Sequence, residues 1–296
     1  MVISSLSSVK IQLSPSEQEK LTNKLGIDIG QSLTKIAYFR RGELLLSFFP
    51  TKEVFEQVSN LLKVREVNIK HINLTGGKAY EIFKRYNKKF HCQLIDEFKA
   101  NYTGIEFIYQ NYNNNPLPPS LIVTIGTGTS MILKKENVTH IGGTALGGGF
   151  FMGIAKLFFD IDNYQIAIGH AKKGNRYNVD LKVSDIYNSE DTRIDDIFRE
   201  FTASSLGKID SQTDRISIRS EDVLHSIISL IGENIGSIAS TTAKIHDVKF
   251  IIYCGGFTIQ NSMLNSILKI ISKLNKLRPI FPKNSEYCGA IGALLI

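Results

Sequence analysis

Cysteine is scarce in this sequence, and no two cysteines lie close together. Only Cys92, Cys254 and Cys288 occur among 296 residues, and no CxxC pair is present. Zinc-ribbon and thioredoxin-type motifs, which need closely spaced thiols, are therefore excluded. An odd and sparse cysteine set suits a reducing compartment. We therefore expect a cytoplasmic protein whose cysteines serve as small buried apolar residues.

Long apolar runs and strong charge are also lacking. No stretch reaches 18 uninterrupted apolar residues, so a membrane-spanning helix is not predicted. The net charge of +7 comes from 35 Lys and Arg against 28 Asp and Glu, and the basic residues are scattered. This mild positive balance fits small anionic ligands, and we expect neither a membrane nor a nucleic-acid partner. Residues 1–24 are polar and Ser-rich, which predicts a loose N-terminal extension rather than a targeting signal.

Strands and helices alternate along the rest of the chain, which indicates an α/β protein. The polar, proline-rich stretch at 111–119 breaks this alternation. It predicts two domains, an N-terminal one over 25–118 and a C-terminal one over 119–296. A strand, a glycine-rich turn and a second strand occur at 25–39 and again at 121–134, which indicates a weak internal duplication.

Three glycine-rich turns carry the functional signal, at 28–35, 126–130 and 142–149. Glycine lets the backbone approach an anion closely, and successive N–H groups form an anion-binding nest. Two such turns from two domains can hold a polyphosphate between them, although a tight hairpin also uses glycine. Neither the P-loop nor the dinucleotide fingerprint is present. Asp28 can hold Mg²⁺ through water or organise its own turn, and Lys35 can contact phosphate or simply be exposed.

Seven motifs in their order and spacing resemble the type II pantothenate kinases, a eukaryotic-like family that also occurs in bacteria. They are GIDIGQSLTK (26–35), LTGG (74–77), DEF (96–98), IGTGTS (125–130), GGTALGGG (142–149), VDLK (179–182) and GAIGAL (289–294). The resemblance runs from about Leu25 to the C terminus. It implies a two-domain actin-like ATPase fold, of the ribonuclease H-like type shared with hexokinase and Hsp70, with a nucleotide cleft between the domains.

The resemblance also implies an activity, the ATP-dependent phosphorylation of pantothenate on the way to coenzyme A, with ATP and Mg²⁺ as cofactors. Glu97 in the Glu-Phe motif is implied as the general base, because an alcohol is a poor nucleophile until its proton is accepted. Without the resemblance, Glu97 is equally an acidic residue favoured by the dipole at a helix start. A homodimer and an acyl-CoA feedback ligand are implied as well. The long apolar helix predicted over 223–245 is the candidate dimer interface, and burial of its stripe within one chain is the alternative.

Site residues carry over onto the matching positions of this sequence. The resemblance implies nucleotide contacts at Asp28, Gly30, Gln31, Ser32, Leu33, Lys35, Thr127, Gly128, Gly148, Gly149, Phe150, Phe151, Met152, Tyr164 and Gly256. It implies substrate contacts at His140, Gly142, Gly143 and Thr144, and a water-mediated Mg²⁺ contact at Asp28. By its own pattern, Tyr164 is equally a core residue of a helix.

Two positions depart from the family pattern. Gln31 stands where the family usually has a second glycine, and His140 stands where it usually has arginine. A neutral histidine offers one hydrogen-bond donor in place of a permanently charged fork. Two alternatives therefore stay open, a related small-molecule kinase of the same fold and a catalytically silent homologue that binds nucleotide or coenzyme A.

An activator of radical dehydratases shares the fold, but the three cysteines here are not spaced to hold an iron–sulfur cluster.

Overall fold

The computed structural model describes residues 6–10, 15–64, 68–210, 212–214 and 217–296. Its frame is two mixed β-sheets. The first sheet contains β1 (Leu6–Lys10), β2 (Lys24–Ile29), β3 (Leu33–Arg40), β4 (Glu43–Pro50), β5 (His71–Thr75) and β6 (His91–Leu94). The second contains β7 (Ser120–Ile125), β8 (Thr129–Lys134), β9 (Val138–Thr144), β12 (Phe250–Cys254) and β13 (Arg278–Ile280), and the short strands β10 (Leu181–Lys182) and β11 (Thr202–Ser204) pair separately.

Helices cover the faces of both sheets. The longer ones are α1 (Pro15–Thr22), α2 (Val54–Leu62), α3 (Ala79–Tyr86), α4 (Glu97–Asn113), α5 (Gly148–Phe159), α6 (Tyr164–Lys173), α9 (Ser220–Ile245), α10 (Ser262–Leu274) and α11 (Cys288–Leu295). Two single-turn helices, α7 (Val183–Ile186) and α8 (Asp196–Arg199), lie between β10 and β11. The alternation of strands and helices that the sequence predicts is present in both halves of the chain.

The two sheets have the same topology. In the first, the order β4-β3-β2-β5-β6 runs through two antiparallel pairs and then two parallel pairs, and in the second β9-β8-β7-β12-β13 does the same. The weak duplication seen in the sequence is therefore a duplication of architecture. The α/β class and the ribonuclease H-like fold are confirmed.

Three apolar clusters hold the layers together. One lies between the first sheet and the helices α2 and α3. The second lies between the two sheets, where α4 and α11 fill the space. The third covers the other face of the second sheet, under α5, α6, α9 and α10. The chain is thus a stack of alternating helical and sheet layers with two helices at its centre.

The N-terminal residues differ from the loose extension that the sequence predicts. β1 pairs in antiparallel register with β4 at the edge of the first sheet, and α1 packs against β3 and β2. A short strand of mostly polar residues can join a sheet edge because backbone hydrogen bonds, rather than its side chains, hold it there. Residues 1–5 and 11–14, which belong to the same predicted extension, lie outside the described residues.

The C-terminal helix packs with the first half of the chain. α11 lies against α4 and against β2, and the amide of Asn73 in β5 donates to the carbonyl oxygen of Ala293 at 2.7 Å. Glycines make this contact close: a Cβ on Gly104 of α4 would stand 1.9 Å from the carbonyl oxygen of Cys288, and one on Gly292 would stand 1.8 Å from that of Ala100. The predicted domain boundary between 118 and 119 does not indicate that this helix of the C-terminal half packs with the N-terminal half.

The long helix α9 meets the length and hydropathy expected of a membrane span, but 67% of its most apolar window is buried inside the protein. The predicted stripe is covered by other elements of the chain at Leu224, Ile227, Ile228, Ile231 and Ile235. Only its later positions Ile238 and Ile245 are exposed, at 41% and 74%. Burial within one chain therefore accounts for most of the stripe that was the candidate interface.

A buried ion network attaches the segment that carries β10 and β11. Arg176 donates to Asp180 at 2.6 Å and to Glu233 of α9 at 2.6 Å. Asp180, which is fully buried, also accepts from the backbone N–H of Leu206 and from the hydroxyl of Ser226. The carboxylate is saturated by these partners, so its burial is compensated.

Candidate active site

The first glycine turn is set by a hairpin between β2 and β3. Asp28 and Lys35 are cross-strand partners in this hairpin, and Lys35 Nζ lies 3.1 Å from Asp28 Oδ2. Each side chain is only 14% exposed, so the lysine that the sequence left open as exposed is largely enclosed. Gly30, Gln31 and Ser32 form the turn itself, and the side chain of Gln31 is exposed. The side chain of Gln31, which replaces the glycine usual in the family, therefore does not fill the space beside Asp28.

The charge state of Lys35 follows from its neighbours. Burial alone would lower the pKa of this ammonium group, but the Asp28 carboxylate, which both attracts and hydrogen-bonds it, raises the pKa above its ordinary value. The charge of Glu97 acts in the same direction. Lys35 is therefore a fixed cation at the end of the first sheet.

Glu97 begins helix α4, which follows directly after β6. The preceding residue Asp96 caps the helix, and its carboxylate accepts from the backbone N–H of Lys99 at 2.8 Å. Asp96 is thereby used as a cap, whereas Glu97 is exposed at the surface of the site. Desolvation by the surrounding protein raises the pKa of Glu97, the nearby Asp28 and Asp96 charges raise it further, and Lys35 lowers it. A carboxylate with a raised pKa is a better proton acceptor near neutral pH.

Glycines enclose the carboxylate of Asp28. A Cβ on Gly76 would stand 2.7 Å from Asp28 Oδ1, and one on Gly289 would stand 2.9 Å from Asp28 Cγ and 3.1 Å from Asn101 Oδ1. Gly76 also has φ +90°, a conformation that L side chains rarely adopt. The motifs LTGG and GAIGAL therefore lie against this carboxylate. Their glycines make room for it.

A single carboxylate in such a cradle fits Mg²⁺ better than a metal held by protein ligands alone. Among the described residues, no cluster of three or more His, Cys, Asp or Glu side chains is able to hold a metal ion. Mg²⁺ keeps several waters and takes one or two carboxylates together with phosphate oxygens. Asp28 is the residue that would hold it.

The cysteines near this cradle are buried, as the sequence predicts. Cys288 donates its thiol hydrogen to Asn101 Oδ1 at 3.3 Å, and Cys254 lies 3.4 Å from the hydroxyl of Thr124. The hydrogen bond with Cys254 is the largest of the causes that raise the pKa of the Cys288 thiol, and burial of the thiol raises it further. A buried neutral thiol is unreactive. Cys92 is half-buried.

The second and third glycine turns form one unit. The backbone N–H of Gly148 donates to the carbonyl oxygen of Gly126 at 2.8 Å, and that of Gly149 donates to Thr127 at 2.9 Å. Gly128 accepts from the N–H of Gly126 within the turn. The first amides of α5 are thus bound to the turn between β7 and β8, and their glycines permit this close contact. Phe150 at the start of α5 is exposed, Phe151 is buried and Met152 is half-buried.

Residues of the two halves meet beside these turns. A Cβ on Gly256 would stand 4.0 Å from the Leu33 side chain of the first hairpin. Tyr164, the first residue of α6, donates its hydroxyl hydrogen to the carbonyl oxygen of Phe257 at 3.1 Å. The space bounded by the turn at 30–32, the turn at 126–128, the start of α4 and Gly256 is called the cleft below. The predicted nucleotide residues of the first two turns and Gly256 border it. Phe151, which was also predicted to contact the nucleotide, is instead buried in the apolar cluster of the second sheet.

Strand β9 brings the predicted substrate residues to the edge of the second sheet. Its register with β8 shifts between Met131, which pairs with Gly142, and Ile132, which pairs with His140. Ile141 is therefore the extra residue of a β-bulge. Gly142 has φ +139°, which favours glycine. Beyond the bulge, Gly143 and Thr144 pair with β8 again, and a Cβ on Gly143 would stand 2.2 Å from the carbonyl oxygen of Thr129.

His140 meets a residue of the other half. Its imidazole stacks on the ring of Phe98, with 3.8 Å between the ring centroids and 18° between the planes. Phe98 follows Glu97 in α4, so the position of the missing arginine is adjacent in space to the helix that carries the candidate base.

Three residues of the site were not predicted from the sequence. Phe98 was part of a quoted motif but carried no role. Asn101 follows Glu97 by four positions and therefore shares its helix face, a spacing that would have found it. Glu286 is half-buried before α11, where desolvation raises its pKa and the charge of Lys35 lowers it. No local sequence pattern indicates that Glu286 belongs to the site.

The chain is similar to known proteins over most of its length. The model of the family described as Fumble matches residues 40–296. A type II pantothenate kinase of Bacillus thuringiensis subsp. konkukian is 31% identical over 280 residues, which cover 93% of this chain and 98% of that protein. The enzyme of the same description from Bacillus anthracis is 32% identical over 281 residues, with the same coverage. That of Staphylococcus saprophyticus is 31% identical over 274 residues, or 92% of this chain and 99% of that protein.

Solved structures share the fold at low identity. The activator of the 2-hydroxyisocaproyl-CoA dehydratase from Clostridium difficile, with bound ADPNP, has a TM-score of 0.57 at 16% identity and covers 92% of each chain. The ethanolamine utilization protein EutJ from Carboxydothermus hydrogenoformans has a TM-score of 0.52 at 11% identity, over 92% of this chain and 89% of that one. These likenesses concern the fold alone.

Proposed function

This chain belongs to the Fumble family, with the type II pantothenate kinases, and from that premise we propose that it transfers the γ-phosphoryl group of ATP to the hydroxyl group of pantothenate. It is a kinase of this class. The observation that carries the proposal is the arrangement at the end of the first sheet. There, the Asp28–Lys35 ion pair interacts electrostatically with a nearby carboxylate, Glu97, whose pKa is raised.

Glu97 acts as the general base in the proposed reaction. The substrate oxygen attacks the γ-phosphorus, the bond from that phosphorus to the bridging oxygen breaks, ADP leaves, and the hydroxyl proton passes to Glu97. Capping, one possible role of an acidic residue at a helix start, is taken by Asp96. The favourable dipole at the start of α4 remains the alternative explanation for Glu97. Glu97 is exposed and so is available to a substrate.

Lys35 and the glycine turns position the nucleotide. Phosphoryl transfer depends on orientation and on neutralising the charge of the transferring group. Lys35 supplies a fixed cation, and the turns at 30–32 and 126–128 approach from the two halves of the chain. Leu33 and Gly256 approach each other at the cleft, and together with Tyr164 they are the proposed contacts to the adenosine group. His140 and the glycines of β9 are the proposed contacts to pantothenate.

Further features belong to the same proposal. Mg²⁺ would be held by Asp28 through water and would neutralise phosphate charge when bound. We propose a cytoplasmic location, in line with buried free thiols. A homodimer and acyl-CoA feedback are proposed from the family resemblance alone.

Mass-spectrometric detection of phosphopantothenate tests the proposed function. Purified protein is incubated with ATP, Mg²⁺ and pantothenate, and a panel of other alcohols is run beside pantothenate. Glu97→Gln removes the proton acceptor while it keeps the shape of the side chain. We expect its kcat to fall by about 10²–10⁴-fold.

Asp96→Asn is the matched control, because it removes one neighbouring negative charge and asparagine caps a helix as well as aspartate does. We expect it to keep most of the activity. Equal activity in Glu97→Gln and the native protein would refute the assignment of the base. Product from another alcohol alone, or no product from protein that binds ATP, would support a related kinase or a silent homologue instead.

A further inference from the structure

The stack between Phe98 and His140 joins the two halves of the protein at the cleft. Phe98 lies in α4, which packs between the sheets, whereas His140 lies in β9, the edge strand of the second sheet. The centroid separation of 3.8 Å and the plane angle of 18° describe face-to-face contact between the two rings. None of the other ring pairs in the described part of the chain has centroids closer than 5.1 Å.

The two rings are anchored very differently. Phe98 is half-buried and packs against the central apolar cluster. His140 is exposed, and no described hydrogen bond holds its ring. An exposed histidine without partners populates several rotamers. The phenyl ring therefore fixes the imidazole, and not the reverse.

The backbone of β9 is shaped for the same contact. The bulge at Ile141 and the positive φ of Gly142 follow His140 directly. A bulge bends its strand and redirects side chains beside it, and such bulges are frequent next to active sites. The chain thus uses an irregular strand and an aromatic platform to place one imidazole.

We propose that Phe98 is a positioning residue, whose ring holds the imidazole of His140 beside Glu97 so that it contacts the substrate or the transferring phosphoryl group. This proposal rests on the proposed function for its catalytic consequence. It also accounts for the departure at His140. A guanidinium group is planar and stacks on aromatic rings, so the same platform suits arginine or histidine at position 140.

NMR tests the positioning in the protein alone. The chain has six histidines, and His140→Gln identifies the ring signals of His140 by their loss. Stacking on a phenyl face shifts these ring protons upfield. We expect the shift to disappear in Phe98→Leu, which keeps an apolar helix-forming residue, and to persist in Phe98→Tyr, which keeps the ring.

Steady-state kinetics test the consequence. We expect Phe98→Leu to lower kcat about ten- to a hundredfold, because small misplacements of a site group cost this much, while KM for ATP stays within about twofold. Phe98→Tyr should restore most of kcat. In the background of His140→Gln, Phe98→Leu should have little further effect, since the group it positions is gone.

Tyr80→Leu is the matched control. Tyr80 is an exposed helical aromatic that stacks on Phe83, at 6.1 Å and 15°, on the outer helix α3. We expect native kinetics from it.

A His140 signal without an upfield shift in the native protein would overturn the proposal. So would equal kcat in Phe98→Leu and Phe98→Tyr, or full additivity with His140→Gln. If the native protein does not phosphorylate pantothenate, the proposed function fails, and the NMR comparison alone decides whether Phe98 positions His140.

Discussion

Replacing Gly292 with alanine tests how the central helices set the position of the candidate base. A Cβ at this position would stand 1.8 Å from the carbonyl oxygen of Ala100 and 2.6 Å from its carbonyl carbon. Carbon and oxygen atoms in contact are normally separated by about 3.3 Å or more. Backbone atoms cannot rotate away as a side chain can, so α4 and α11 must separate by more than about 1 Å.

This separation has a cost in stability and a cost in activity. Overpacking of a tight interior destabilises by about 1–3 kcal/mol, which corresponds to a fall in Tm of roughly 2–5 °C for a chain of this size. Ala100 lies three residues after Glu97 in the same helix, so the displacement also moves the candidate base. A misplacement of about 1 Å at a catalytic group lowers the rate by about 10²-fold.

Thermal unfolding and kcat are measured together on Gly292→Ala and on a control, Gly169→Ala. A Cβ on Gly169 in α6 would meet no atom within 4 Å. We expect this control to gain about 0.5–1 kcal/mol, because alanine is favoured over glycine inside a helix. If Gly292→Ala retained the native Tm and kcat, the close packing of α4 on α11 would not determine the position of Glu97.

Three further perturbations follow from the geometry. Glu97 must be deprotonated to accept a proton, and Lys35 lowers its pKa. Lys35→Gln should therefore move the acid limb of the pH–rate profile to higher pH, and an unmoved limb would contradict this coupling. Asp180→Asn leaves the buried Arg176 without one of its two carboxylate partners and should cost about 3–5 kcal/mol in thermal unfolding, whereas a native Tm would show that the network is dispensable. Gly142→Ala imposes a side chain at φ +139° and should cost about 1–3 kcal/mol and raise KM for pantothenate, while an unchanged KM would separate the bulge from substrate binding.

Local elements were predictable where the sequence alone fixes them. The long helix predicted over 223–245 is found within α9, which spans Ser220–Ile245. A helix start at Glu97 was also predicted, and α4 begins at that residue. The two sheets share one topology because the strand–turn–strand pattern occurs twice in the sequence.

Long-range placement was not predictable. The pattern of α11 indicates a helix but not which half it joins, since apolar and small residues pack equally well against either sheet. Strand β1 was not predicted, because an edge strand needs few apolar side chains. The stack of Phe98 on His140 joins a residue of the central helix α4 to a residue of the edge strand β9, and neither residue type nor spacing indicates it. The roles of Glu97, Asp28 and the glycine turns stay predictions.

The packing of α11 against the first sheet affects the order in which the protein folds during synthesis. Asn73 and Ala293, which share a hydrogen bond, are 220 positions apart. During synthesis, the face of β2 and β5 that later receives α11 stays uncovered while the whole second half is translated. The N-terminal half therefore cannot complete its fold until α11 has been synthesised. Removal of α11 would uncover this face of the first sheet and destabilise the half of the chain that is made first.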